Sequence, residues 1–277
     1  MAPTFVVVPQ WQGSISPRAM RLVDGAAAIQ GDLPFSATRL VDVPVEAGDA
    51  LDTGVHRFSA IQVVRERHTK VLKDTTDWAL SIGGDCGIAL AAVEHAARTH
   101  PGDLAVVWFD AHPDLHTPES SPSGGFCGMV LRAISGEGPA EFELAAASSV
   151  PLRNVVLAGI RDVDDAEDVL VHDRKLMRVS CSELADPAAL VAAIAATGAR
   201  HVFVHIDLDV LDPSALAGLS DLIPFGLSVA DLGGAITALR AEFTVAGATI
   251  TGFAPASPEA ATDDLPSILR IIGALTR

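Results

Sequence analysis

The sequence predicts an α/β fold built on a mainly parallel sheet with helices on both faces, and three observations lead there. Short runs rich in Val and Leu, such as Leu104–Phe109 and Val155–Ile160, are apolar almost throughout instead of alternating, as strands buried on both faces are. Each such run ends in a polar or glycine-containing cluster and gives way to an Ala- and Leu-rich stretch of helical period, an order that repeats along the chain. A chain of 277 residues that is 49% hydrophobic can bury the core this requires, so residues 1–277 are read as a single domain.

In chain order, the Val run within Thr4–Pro9 is the first strand and Arg39–Val43 the second. Val55–Leu72 has helical period and leads to strand Ala79–Ile82, which runs into a glycine turn before the helix Gly87–Thr99. Leu104–Phe109 is a strand that runs into an acidic cluster. Val155–Ile160 and Leu176–Val179 follow as strands, and Ser182–Ala196 as an Ala-rich helix. His201–Ile206 is a strand ending on a second acidic pair; helix Val229–Ala241, strand Thr249–Phe253 and helix Asp264–Leu275 complete the chain. Breakers accumulate only in Thr117–Gly125, rich in Pro, Ser and Gly, and because that stretch follows the acidic cluster it reads as an active-site loop and not as a linker.

The formal charge of −16 argues against a nucleic-acid phosphate surface or an anionic membrane face. It favours cationic ligands, although solubility alone would explain it equally well. No apolar run is long enough to span a bilayer, and the start, Met-Ala-Pro-Thr, has neither a basic segment nor a cleavage site, so a soluble cytoplasmic protein is expected. Three cysteines, Cys86, Cys127 and Cys181, are too few and odd in number for a disulfide framework; Cys181, just after a strand, reads as a small buried core residue.

Ligands of parallel sheets collect at the carboxyl ends of the strands, where the chemical residues of this chain fall. Asp110, His112 and Asp114 stand at alternate positions after one strand, and Asp207 and Asp209 after another. In an extended segment alternate residues face one way, so each set converges, and an Asp, His, Asp set suits a hard or borderline divalent ion. Four buried carboxylates with nothing between them would repel strongly, so cations belong there or some carboxyls are protonated. His205 lies before its acidic pair, deeper in the sheet, and reads as a core histidine or one that supports a ligand. Ser81-Ile82-Gly83-Gly84-Asp85-Cys86-Gly87 permits a tight strand-to-helix turn; its glycines could cradle a phosphate, but it lacks dinucleotide spacing and a phosphate-loop Lys, making nucleotide binding the weaker reading.

With these residues in view, the chain resembles the ureohydrolase family of arginase, agmatinase and formiminoglutamase, and within it arginase. Gly-Gly-Asp-Cys at 83–86, Asp-Ala-His-x-Asp at 110–114 and Asp-x-Asp-x-x-Asp-Pro at 207–213 occur in the family's order and span most of the chain. The resemblance implies a three-layer α/β/α sandwich, a homo-oligomer of three or six copies, and two Mn(II) ions bridged by hydroxide that attacks a guanidino or amidino carbon, arginine being the leading substrate. It implies that Asp110 and Asp207 are shared ligands, that Asp114 with position 86 completes one ion's set, and that His112 with Asp209 completes the other's. Asp114 also corresponds to the carboxylate that orients the hydroxide. His116 and Ser123 fall where the family reads an α-carboxylate, Asp164 where it contacts an α-amino group, and Glu167 nearby.

Three departures matter. Position 86, usually histidine, is Cys86, whose thiolate favours Zn(II) or Fe(II) relative to manganese if it ligates and is a neutral buried thiol if it does not. Cys127 replaces a proton-shuttling histidine; it could relay a proton, share a metal or form a redox pair with Cys86. The glutamate that grips a guanidinium in the family corresponds to Ser257 or Pro255 here, which leaves Glu259, two residues on, as the nearest acid. A formimino or other non-guanidino substrate, or a non-catalytic homologue with an impaired metal site, are therefore the alternative expectations.

Overall fold

The computed structural model describes residues 3–75 and 78–277; residues 1–2, on which the leader expectation partly rests, lie outside the described residues. Strands and helices alternate along it: β1 (Thr4–Val7), α1 (Arg21–Gly31), β2 (Thr38–Leu40), α2 (Phe58–Lys73), β3 (Ala79–Ile82), α3 (Ala89–Thr99), β4 (Leu104–Phe109), α4 (Val130–Ile134), β5 (Val155–Ala158), α5 (Asp165–Asp173), β6 (Met177–Val179), α6 (Pro187–Thr197), β7 (His201–Asp207), α7 (Val229–Glu242), β8 (Thr244–Thr251) and α8 (Pro258–Thr276). The strands form one sheet in the order β2-β1-β3-β8-β7-β4-β5-β6, with all neighbouring strands parallel.

Pleating sends alternate side chains to opposite faces, so Leu104, Val106 and Trp108 of β4 enter one core while Ala105, Val107 and Phe109 enter the other. Helices α2 to α5 cover the first face; α1, α6, α7 and α8 cover the second. This is the expected three-layer α/β/α sandwich, and the burial of both faces explains why the central strands read as unbroken apolar runs. The chain passes from β3 to β4 across β8 and β7, and that reversal opens a crevice above the carboxyl ends of these four strands. Among the described residues, no helix is long and apolar enough to cross a membrane.

Three helices between the strands lie outside the ranges read from periodicity, and each has a muted signal. The buried face of α1 is Leu22, Gly25, Ala26 and Ile29, so half its stripe is Gly and Ala. Helix α4 has only five residues, and α5 has nine, with Asp and Glu over its first turn. The last strand and helix both begin earlier than periodicity suggests, at Thr244 and Pro258. In α8, Ser257 caps the start by accepting from the Ala260 N–H, Pro258 sits where no N–H is needed, and the internal Pro266 hides continuity that Ile268, Ile271 and Leu275 enforce by burial. Helix α6 starts later than expected, at Pro187, because Asp186 caps it.

A polar row crosses the sheet on the α2–α5 side: Trp108, His205, Thr249 and Ser81 are neighbours in register on β4, β7, β8 and β3. His68 of α2 reaches the Ser81 hydroxyl, with 2.9 Å between Nε2 and Oγ. Burial, with the nearby His95, lowers the His68 pKa to about 3. The folded state therefore refuses a proton that the unfolded chain accepts near pH 6.5, and stability falls as pH drops from there toward about 3. Urea denaturation should show this group costing about 2 kcal/mol between about pH 7 and pH 5, and His68→Gln should remove that part of the pH dependence.

Gly25 marks the close approach of α1 to the residues after β8, because a Cβ there would collide with the Phe253 carbonyl. Gly25→Ala is expected to destabilise by about 1–3 kcal/mol despite the better helix propensity of Ala. Gly233→Ala in α7, where a Cβ meets open space, should instead stabilise by about 0.5–1 kcal/mol. Urea midpoints of the two variants should move in opposite directions.

Candidate metal centre

The glycine turn after β3 is held by one carboxylate. Asp85 accepts from Gln10 Nε2 at 2.8 Å and from the Gly13 and Gly87 amides at 2.9 Å each, capping the short turn Cys86–Ile88 that opens α3. Burial, against these hydrogen bonds, raises the Asp85 pKa to about 6. With Asp85 so engaged, the turn serves to deliver Cys86 into the crevice, which accounts for the glycines without a phosphate.

The carboxylates after β4 and β7 converge, though not by strand pleating. Asp110 turns its Oδ1 back to accept from the His112 amide at 2.7 Å, and Asp207 accepts from the Asp209 amide at 3.0 Å as it starts a short 3-10 turn. Asp209 in turn accepts from the Ala111 amide at 3.0 Å, which ties the two strand ends together. Asp114 takes a left-handed backbone, φ +54°, and its carbonyl accepts from the Leu131 and Arg132 amides at the start of α4. The two-residue spacing thus works through local turns that the extended reading did not anticipate.

The result is a buried acidic cluster. His112 Nδ1 lies 3.0 Å from Asp209 and 3.4 Å from Asp110. Cys86 Sγ donates to Asp207 Oδ2 at 2.9 Å and lies 3.7 Å from Asp110 Oδ2, while Thr251 Oγ1 donates to the same Asp207 oxygen at 3.0 Å. Burial, then repulsion from Asp209 and Asp110, pushes Asp207 well above the carboxylate range; burial and Asp110 do the same to Asp114. Asp209 is raised to about 6 by burial and Asp110. Burial also resists ionisation of Asp110, but hydrogen bonding from His112 and the charges of the nearby His112 and His205 prevail and hold it low. Burial and the charges of Asp207, Asp114 and Asp110 push the Cys86 thiol up. The cluster is short of positive charge, and Asp114 Oδ2 is buried without a protein partner. Oxygen, imidazole and sulfur donors so crowded fit divalent ions, and Asp110, His112 and Asp209 form one group within reach of a single ion.

These residues line a cavity of about 270 Å³, together with Cys127, His116, Ser123, Asp164 and Glu167. No Lys or Arg is among its lining residues. His116 Nε2 is 2.7 Å from Asp164 and 3.7 Å from Glu167, whose other oxygen accepts from the Leu115 amide at 2.9 Å. Asp164 also caps α5 by accepting from the Ala166 and Glu167 amides. Ser123 Oγ accepts from the Gly125 amide within the Pro-, Ser- and Gly-rich loop. Burial, then Asp114, Asp85 and Asp221, pushes the Cys127 thiol up. All three cysteines are free thiols, and Cys181 is half-buried at the core's edge, donating to the Gly159 carbonyl, where the sequence suggested full burial.

Glu259 alone of the candidates stands apart: it is exposed on the first turn of α8 and does not line the cavity. The early start of that helix, capped by Ser257, turns the segment away from the extended course that would have aimed Glu259 inward. Ser14, Asp162, Ser220 and Asp221 do line it and were not anticipated. They come from loops without periodicity, and only Asp162, two residues before Asp164, carried a spacing signal.

An all-parallel α/β sandwich with a carboxylate-rich centre at its strand ends defines the class of this protein. The arginase family model matches residues 13–267, and the chain belongs to the arginase family. It is 31% identical over 209 residues to an arginase of Staphylococcus aureus, covering 72% of this chain and 67% of that one. It is 27% identical over 266 residues to an N(omega)-hydroxy-L-arginine amidinohydrolase of Streptomyces lavendulae, covering 94% and 93%. Its fold matches the crystal structure of Entamoeba histolytica arginase in complex with L-ornithine with a TM-score of 0.85 at 21% identity, over 99% of both chains.

Gly252 closes the site from β8 at φ +83°, and a Cβ there would overlap the Asp207 carboxylate. Gly252→Ala should displace Asp207 and weaken divalent-ion uptake by about 10–100-fold, the range for loss of ligand support, as read by calorimetric titration.

Proposed function

We propose that this protein is a metal-dependent hydrolase that cleaves a linear C–N bond in a guanidino or amidino compound, with arginine, giving ornithine and urea, as the leading substrate. The observation that carries the reading is the convergence of Asp110, His112, Asp114, Asp207 and Asp209 in one cavity that no Lys or Arg lines. Family membership supports it. Asp110 and Asp207 would be shared between two ions, Asp114 and Cys86 would help hold one, and His112 and Asp209 the other. Two divalent ions, when bound there, supply hydroxide near neutral pH. Mn(II) is the family's expectation; the sulfur of Cys86 moves the preference toward Zn(II) or Fe(II).

Asp114 Oδ2, buried and unpartnered, accepts a hydrogen bond from the attacking water and orients it. Cys127 Sγ, which lines the cavity, carries a proton to the leaving amine. His116 and Ser123 bind the substrate's carboxylate, Asp164 its amino group with Glu167 alongside, and Asp221 supplies the carboxylate toward a guanidinium that Glu259 was expected to provide. The chain acts as one catalytic domain, 1–277, in a cytoplasmic homo-oligomer of three or six copies, to be checked by light scattering.

The deciding experiment measures metal per chain by elemental analysis and urea release from arginine on the same sample. Two ions per chain with urea formed is the expected result, with Asp114→Asn lowering kcat by about 100- to 10,000-fold. No urea from any guanidino compound under manganese, zinc or iron would sink the reading. The absence of an acid at positions 255 and 257 favours a second reading, a formimino substrate, which ammonia or formamide release without urea would identify. Less than one ion per chain after full loading would instead mark a non-catalytic homologue.

A further inference from the structure

His205 is the residue whose position the sequence underestimates. Its side chain is fully buried, its ring stacks on Trp108 at a centroid distance of 3.6 Å, and its Nδ1 lies 2.6 Å from Thr249 Oγ1. Nε2, at the other end of the ring, has no hydrogen-bond partner. It points at the acidic cluster, 3.8 Å from Asp110 Oδ2, too far for a hydrogen bond. A buried ring nitrogen that has lost its water and gained no partner is unfavourable, so a fully packed residue held this way calls for a partner.

We propose that His205 is a metal ligand, and that Cys86, Asp110 and His205 present a thiolate, carboxylate and imidazole face to one ion. This inference rests on the two-ion reading above. Cys86 Sγ, Asp110 Oδ2 and His205 Nε2 all lie within 4.8 Å of one another. With metal–oxygen and metal–nitrogen bonds of about 2.1 Å and metal–sulfur of about 2.3 Å, a tetrahedron has O–N edges of about 3.4 Å and S–O edges of about 3.6 Å. The observed separations, 3.8 Å for Asp110 to His205 and 3.7 Å for Cys86 to Asp110, need only small closure onto a bound ion.

The outer contact of the ring also fits. A ligating imidazole carries its proton on the other nitrogen and donates it to a fixed acceptor, the relation in which Nδ1 stands to Thr249 Oγ1. In this arrangement the imidazole absent from position 86 enters from β7, below the cluster. A nitrogen and a sulfur donor on one ion favour Zn(II) over Mn(II), so the two sites of this chain differ in preference.

The test loads the metal-free full chain with Zn(II) and follows histidine ring nitrogens by 15N NMR, alongside Co(II) binding read by equilibrium dialysis and near-ultraviolet thiolate-to-cobalt absorption. Two imidazole nitrogens, from His112 and His205, should shift on zinc loading, and the cobalt band should vanish in Cys86→Ser. His205→Gln should weaken one ion by more than the roughly 10–100-fold that loss of an outer contact costs, and Thr249→Val should fall within that range. A zinc shift confined to one imidazole, read on the unaltered chain and so independent of whether His205→Gln folds, would overturn the proposal while leaving the two-ion reading intact. Absence of any bound ion on the unaltered chain would overturn both.

Discussion

Negative charge gathered at the carboxyl ends of β4 and β7, in the crevice these strands share with β3 and β8, is the constraint that organises this molecule. Two carboxylates about 4 Å apart near a protein surface repel by about 4 kcal/mol, and Asp110, Asp114, Asp207 and Asp209 are all buried together. The fold meets that cost locally with backbone N–H groups: the amides of Ala111, His112 and Asp209 each donate to a cluster carboxylate. What they do not offset appears as raised carboxyl pKa values at Asp114, Asp207 and Asp209. A sheet with both faces buried can hold such a cluster because the apolar layers on either side are large and continuous.

The same charge shapes what the cavity accepts. With acids from the ends of β3, β4 and β7, from α5 and the loop before it, and from the loop after β7, and no lysine or arginine among its lining residues, it favours cations, whether metal ions or a positively charged organic group. Cysteines at 86 and 127 line the cavity and His205 lies beside Cys86 and Asp110, so sulfur and imidazole donors accompany the carboxylates.

Much of this was legible from residue order. The β-then-α alternation specified a parallel sheet covered on both faces, because a doubly buried strand has no polar side to show. The motifs at 83–86, 110–114 and 207–213 pointed to the cluster because ligand-type residues stand together at strand ends, where parallel sheets bind ligands. The misses share a cause: α1 has Gly and Ala on its buried face, α8 contains Pro266, and the segment after β8 turns into a helix where an extended course was assumed, which moved Glu259 to the surface.

The sequence by itself determined the class of fold, the family and most of the cavity's acids, since these depend on periodicity and on short motifs whose residues act from adjacent positions. Tertiary structure decided which polar residues from distant segments meet. Asp221 reaches the cavity from a loop with no periodicity. His205 is indistinguishable from a core histidine until Trp108, Thr249 and Asp110 are seen around it, because partner atoms on other strands are set by sheet order and register, which β7 alone does not encode.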